Sequence, residues 1–288
     1  MKTINSIIIA AFMAAACSGN GNKMSVQDIT YSDSTSFINF NASFQLPAGN
    51  DNVSRTIRQQ LVQIASDQLN GMLVYEDDIP ITPISSTEEL IEQCISTKDS
   101  LNALSKDDYG MRRSIIMEDP ELSSQEKQEM LSYIPTWDED MAISLLADTT
   151  DYCVFLSQNY FYLGGAHGGI SGAGYLTFLK SDGSLFMDFL TGDCCEGMQP
   201  LLRKGIADYL LECGEQVEPE DIGEYLLIFG EDSIIPLPQY QPCPGPEGLT
   251  FMYQQYEITP YAMGMPEFTI SYSDLEPFMT EQARSLFF

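Results

Sequence analysis

One imidazole serves all 288 residues: His167, inside the run Gly164-Gly165-Ala166-His167-Gly168-Gly169. A lone histidine can act as a general base near neutral pH. Nucleophilic catalysis also needs a Ser or Cys within reach and an acid to orient the ring, and no spacing here picks out such partners. The nucleophile-elbow pattern G-x-S-x-G does not occur, and Gly169-Ile170-Ser171-Gly172 lacks its spacing. A glycine run could instead cradle a phosphate, given a helix N-terminus directly behind it and usually a lysine. Here β-prone Tyr175-Leu176-Thr177-Phe178 follows, with no lysine before Lys180. The glycines therefore read as a sharp turn or a close approach to another chain. His167 then fixes the turn through backbone hydrogen bonds or touches a partner; catalysis is the last of the three readings, and no enzymatic activity is expected.

The other groups able to do chemistry are carboxylates and thiols. Acids number 42 against 13 Lys plus Arg, a net charge of −29. They cluster at Glu76-Asp77-Asp78, at Glu118-Asp119-Pro120-Glu121, at Asp138-Glu139-Asp140 and along Glu212 to Glu224. None has the calcium-loop spacing D-x-[DN]-x-[DN]-G, and none singles out a glycosidase pair. Solvated faces account for most of them. One histidine excludes a His-rich zinc site, though not an all-carboxylate one, and no cofactor is expected. So acidic a chain is not a nucleic-acid binder, because neutralising phosphates takes clustered Lys and Arg. It would instead attract a basic partner and speed its association by about 10- to 1000-fold at low salt. Beyond Cys17 lie Cys94, Cys153, Cys194, Cys195, Cys213 and Cys243. Their spacing selects no pairing, and a single helix over 195–213 would hold its end cysteines about 27 Å apart, too far to bond. Buried thiols or one or two structural disulfides are expected, not redox chemistry.

The first residues are an address. Lys2, the apolar run Ile7 to Ala16 and the small residues before Cys17 form a signal peptide, too short to span a bilayer core of about 30 Å. Ala14-Ala15-Ala16-Cys17 resembles a bacterial lipobox with Ala14 where Leu is usual, and makes Cys17 the lipidated N-terminus. Ordinary cleavage after Ala16 is the competing reading. In both, the mature protein works outside the cytoplasm, on the periplasmic face or the cell surface.

The rest reads as α+β, with mixed antiparallel sheets packed against helices. Ile38, Phe40, Ala42, Phe44 and Leu46 alternate as a half-buried strand. Val53, Ile57, Leu61, Ile64, Ala65 and Leu69 recur at helical spacing, with Asp51 or Asn52 as cap and Gly71 as stop. Leu73 to Tyr75 predicts a short strand. Capping boxes at Ser86 to Glu89 and Ser123 to Glu126 open two more helices. From about Trp137 strands predominate: Met141-x-Ile143-x-Leu145, Tyr152-x-Val154-x-Leu156, then a hairpin turning at Ser181-Asp182-Gly183 between 175–180 and 184–189. A helix with Pro200 in its first turn, strands at Leu249 to Tyr253 and Glu267 to Ser271, and a helix from Ser273 boxed by Glu276 complete the chain. The resulting division is signal peptide 1–16, tether 17–26, a first subdomain 27–140 and a second 141–288.

The text Asn159-Tyr160-Phe161-Tyr162-Leu163-Gly164-Gly165-Ala166-His167-Gly168 resembles the extracytoplasmic domain family shared by the anti-sigma factor RsiV and the non-catalytic part of the peptidoglycan deacetylase PdaC. Gly183-Ser184-Leu185-Phe186-Met187-Asp188-Phe189-Leu190 resembles the family's hairpin arm, and Tyr256-Glu257-Ile258-Thr259-Pro260-Tyr261-Ala262-Met263-Gly264 its Y-E-I-A-P-Y-A-x-G segment. The match covers about 150–280. Residues 27–140 resemble the preceding part of the family only in strand–helix layout. The resemblance implies two intimately packed subdomains and a binding role, with Gly164, Gly165, Ala166, His167, Gly168, Tyr256, Pro260 and Tyr261 as binding residues. It implies lysozyme or another basic protein as ligand, or alternatively peptidoglycan glycan. The deacetylase domain has no room here, and a single histidine cannot supply its metal ligands. The sigma-binding segment and membrane helix are not found, so sigma sequestration is not expected.

Overall fold

The computed structural model describes residues 23–73, 84–165, 168–227 and 234–287. Cys17 with the expected signal peptide, residues 74–75 of the expected short strand, Ala166 and His167 lie outside the described residues. The fold is α+β, with a five-stranded sheet ordered β1-β2-β3-β4-β5 and a three-stranded sheet ordered β6-β7-β8. The chain divides into two compact units. The first holds 24–144 and 159–170; the second holds 145–158 and 171–288.

The first unit begins with β1 (Val26–Ser34) and β2 (Ile38–Pro47), paired antiparallel. The period-two pattern of β2 does what it predicts: Ile38, Phe40, Ala42, Phe44 and Leu46 are buried. Against this face pack α1 (Asn52–Gly71), through Ile57, Leu61, Val62, Ala65 and Leu69, and α2 (Thr87–Glu118), through Leu90, Cys94 and Leu101. Asp51 caps α1 by accepting from the Ser54 N–H, at 2.9 Å. Both expected capping boxes form, Ser86 with Glu89 on α2 and Ser123 with Glu126 on α3 (Ser124–Ser132). They satisfy backbone donors that the first helical turn leaves open. β3 (Trp137–Asp148) lies parallel to β2, so not every pairing is antiparallel as expected. The acid run 138–140 is also not wholly solvated. Strand alternation turns Glu139 inward beside Met141 and Ile143, in register with Phe40, and leaves it 3% exposed.

β4 (Tyr152–Tyr162) and β5 (Ile170–Leu179) complete the large sheet. In the second unit, β6 (Cys243–Pro244) pairs with β7 (Gly248–Met252), and α4 (Gln199–Glu212) shares Leu202, Ile206 and Leu210 with the core formed by β7 and β8 (Glu267–Ser271). Leu249, Phe251, Tyr253, Phe268 and Ile270 fill that core. The expected hairpin after β5 keeps its turn, with Gly183 at φ 81°, but its second arm is a single bridge, Phe178 to Leu185, not a strand. The expected last helix is split. Ser271 caps a short α5 (Tyr272–Leu275), Pro277 then interrupts, and Thr280 restarts the chain as α6 (Glu281–Phe287) by accepting from the Ala283 N–H. Among the described residues no helix is long and apolar enough to cross a membrane.

All six described cysteines are free thiols. Burial pushes the Cys94 and Cys153 thiols up to about 12 and Cys243 up to about 11, so they hold almost no reactive thiolate at neutral pH. Cys213, at the end of α4, is exposed. Native protein treated with an aromatic disulfide reagent should label Cys213 first, Cys195 more slowly, and the other four only in denaturant. Peptide mass mapping reads this directly, and native labelling of Cys94 or Cys153 at the Cys213 rate would contradict the packing.

Candidate functional site

The described part of the glycine run belongs to the first unit, at the end of β4, where a lattice of contacts holds its base. Gly164 sits at φ 80°, a conformation that favours glycine, and a Cβ on it would lie 2.5 Å from the Pro135 ring. The Tyr162 hydroxyl donates to the Gly165 carbonyl at 3.4 Å. The Tyr160 ring covers Gly169, where a Cβ would fall 2.2 Å from it. From α2, the Arg112 guanidinium reaches the Leu163 and Gly164 carbonyls at 3.4 and 3.5 Å. Arg112 is itself set by Asp108, which accepts from Nε at 2.8 and 3.0 Å, and the Trp137 indole donates to the same carboxylate at 3.3 Å. Sequence reasoning missed this brace. Its only local signals were an i, i+4 Asp–Arg pair on a helix and the single tryptophan.

Tyr256, Pro260 and Tyr261 belong to the second unit, between β7 and β8. Tyr253, which opens this segment, is fully buried and donates to the Pro236 carbonyl at 2.7 Å. The Gln254 side chain then imitates a strand neighbour for β5: its Oε1 accepts from the Ala173 N–H at 3.0 Å and its Nε2 donates to the Ala173 carbonyl at 2.8 Å. Gln255 Oε1 accepts from the Ser171 N–H at 2.7 Å. The Glu257 carboxylate closes the turn, accepting from the Gln254 and Gln239 N–H groups, each at 2.7 Å. Between these anchors Tyr256 is the one non-glycine at positive φ among the described residues, at 64°. For a bulky side chain that conformation costs about 1–2 kcal/mol. The strain presents its ring, 48% exposed, 5.7 Å from the Tyr261 ring. Pro260 is exposed beside them. Tyr240, one residue beyond Gln239, is 47% exposed and lies over Gly174. The Gln pair, Glu257 and Tyr240 were not legible as site residues, because their roles exist only once β5 and the turn are brought together.

Aromatic binding is what this arrangement supports chemically. Glu257 spends both oxygens on backbone donors. Among the described residues no group of three or more His, Cys, Asp or Glu could hold a metal ion. A cleft of about 380 Å³ in the second unit is lined by Asp151, Lys180, Ser181 and Gln282. Its lysine is already paired with Asp148 and donates to the Thr149 carbonyl at 2.6 Å, so it offers little charge to a ligand.

The class defined by this fold is that of two solved bacterial proteins. One, a member of the DUF3298 family from Bacteroides fragilis, superposes with a TM-score of 0.61 over 92% of this chain and 96% of that one, at 18% identity. The other, a DUF3298 family protein from Pseudomonas aeruginosa, gives 0.55 over 92% and 98%, at 13% identity. Residues 243–273, which are β6, β7, the tyrosine turn and β8, match the family model described as "Protein of unknown function (DUF3298)". No curated protein matches the chain.

Proposed function

We propose that this is an extracytoplasmic, non-catalytic binding protein, lipid-anchored at Cys17, whose ligand is a basic protein of the lysozyme kind. The observation that carries the reading is Tyr256: a strained, pinned and exposed aromatic paired with Tyr261. Rigid tyrosines supply large contact area at little entropic cost and dominate many interfaces. Strain kept at an exposed residue is accounted for by a contact that needs it. The charge of −29 supplies long-range attraction for a cation of protein size. The resemblance to the RsiV and PdaC domains names lysozyme as the first ligand to try.

Replacing Tyr256 separates function from folding. Tyr256→Gly relieves the backbone and should leave the protein as stable or about 1 kcal/mol more stable. It should also weaken binding of a basic lysozyme at least 10-fold, as Tyr261→Ala should. Calorimetric titration together with thermal melts tests this, and unchanged affinity in both variants would remove the tyrosine pair from the interface.

The same rings support a second reading. Exposed tyrosines beside a proline also fit the apolar faces of sugar rings, which points to cell-wall glycan. Co-sedimentation with purified sacculi decides this: protein that stays in the supernatant at 0.15 M salt excludes it.

A further inference from the structure

The end of α2 beyond Arg112 and all of α3 form a helical arm that buries no residue. Every buried residue of α2 lies between Leu90 and Ser105, and α3 has none. A nine-residue helix is too short to be stable by itself in water; this one is held by its capping box and by Lys127, which donates to the Met117 carbonyl at 2.7 Å. Yet the arm and Met111 just before it present five large apolar side chains: Met111, Ile115 and Met117 on α2, Met130 on α3 and Tyr133 just beyond, 44–73% exposed. Elsewhere in the described part of the first unit only Ile170 is a large hydrophobic so exposed. Isolated surface hydrophobics need no explanation, but a group of them on a stretch of chain that buries nothing does. Three are methionines, whose unbranched, polarisable side chains adapt to varied apolar partners.

The charge around them identifies the occupant. Between Met111 and Tyr133 the chain carries five carboxylates, at Glu118, Asp119, Glu121, Glu126 and Glu129, against three cations, Arg112, Arg113 and Lys127, of which Arg112 is already paired with Asp108. Glu126 is held ionised by the Ser123 hydroxyl and N–H, which lower its pKa. A second copy of this chain or an anionic lipid surface would meet like charge. We infer that the α2–α3 arm is a docking face for a cationic amphipathic helix, whose apolar stripe covers the Met and Ile side chains while its lysines meet the acidic rim. Methionine-rich, acid-rimmed surfaces suit such helices because packing and charge act together.

The test uses the mature, unlipidated chain and a fluorescent peptide of Leu and Lys in helical amphipathic register, with a partner peptide carrying Ser for Leu. At 0.15 M salt the Leu/Lys peptide should bind with micromolar affinity and the Ser/Lys peptide at least 10-fold more weakly. The combined exchange Met111→Ser, Ile115→Ser and Tyr133→Ser should weaken the Leu/Lys peptide at least 10-fold. Leu211→Ser, an equally exposed residue on α4, should leave binding unchanged and controls for loss of surface apolarity. Circular dichroism keeps the result interpretable, since the exchanged side chains are exposed and the helix content should not change. Equal binding of both peptides would reduce the effect to charge, and unaltered binding by the triple variant would move it elsewhere; either overturns the inference. No binding, or a dimer that the triple variant dissolves, would also overturn it, the second by placing another copy on the face.

Discussion

Glu139→Gln should make the protein more stable at pH 7 by roughly 3 kcal/mol. Glu139 faces the core from β3, 3% exposed, and its Oε2 has no hydrogen-bond partner among the described residues. Burial, reinforced by the neighbouring Asp140 and Asp138 charges, pushes its carboxyl up from 4.5 to about 8. The folded state therefore holds a proton there that the unfolded chain releases above about pH 4.5. Between those two values the folded state binds more protons, so stability must fall as pH rises from 4.5 to 8. At about 1.4 kcal/mol per pH unit, most of the cost is present by neutrality. A neutral amide of the same shape does not titrate. Urea melts of both proteins from pH 4.5 to 8 should converge at the acid end and separate steadily toward pH 8. Parallel curves would mean that Glu139 does not carry the titration.

Gly248→Ala should be more damaging than any surface change. A Cβ on Gly248 would lie 2.0 Å from the Ile270 carbonyl oxygen, 2.7 Å from its carbon and 2.9 Å from the Ser271 Cα, all backbone atoms of β8. The φ of Gly248 is not positive, so the obstacle is contact alone. Backbone cannot swing aside as a long side chain can, so β7 and β8 must separate at the pair Gly248–Ser271. That displaces Phe268 and Ile270, which β8 contributes to the core of the second unit. The loss should be at least about 3 kcal/mol, with a fall in melting temperature on the order of 10 °C. Gly110→Ala is the matched control. It lies inside α2 with nothing within 4 Å of its Cβ position, and should be neutral or stabilising by up to about 1 kcal/mol. A Gly248→Ala melt within about 2 °C of wild type would contradict the packing around β7 and β8.

What the sequence disclosed was local. β2, α1 and the three well-capped helix starts were legible because alternation, helical spacing and capping boxes involve residues a few positions apart. β1 escaped because Val26–Ser34 buries one hydrophobic, Ile29, and alternates weakly. The parallel pairing of β2 with β3 joins residues 99 positions apart, as from Asn39 to Asp138, and nothing local announces it. Glu139 was unreadable for a related reason. An Asp-Glu-Asp run looks solvated until Met141 and Ile143 fix which way the strand faces. At the candidate site the family-like text located Tyr256, Pro260 and Tyr261. What holds them is a set of side-chain bonds across 81 to 84 positions, from Gln254 and Gln255 to β5. The positive φ of Tyr256 is likewise a tertiary result, since a tyrosine would not choose it unaided.

The most direct test of the binding role is calorimetric titration of the mature, unlipidated protein with a basic lysozyme from low to physiological salt. A specific interface centred on Tyr256 and Tyr261 predicts micromolar or tighter affinity that persists at about 0.15 M salt, where exposed charges more than roughly 8 Å apart are largely screened. Binding that disappears by that salt concentration, or is never seen, would contradict it.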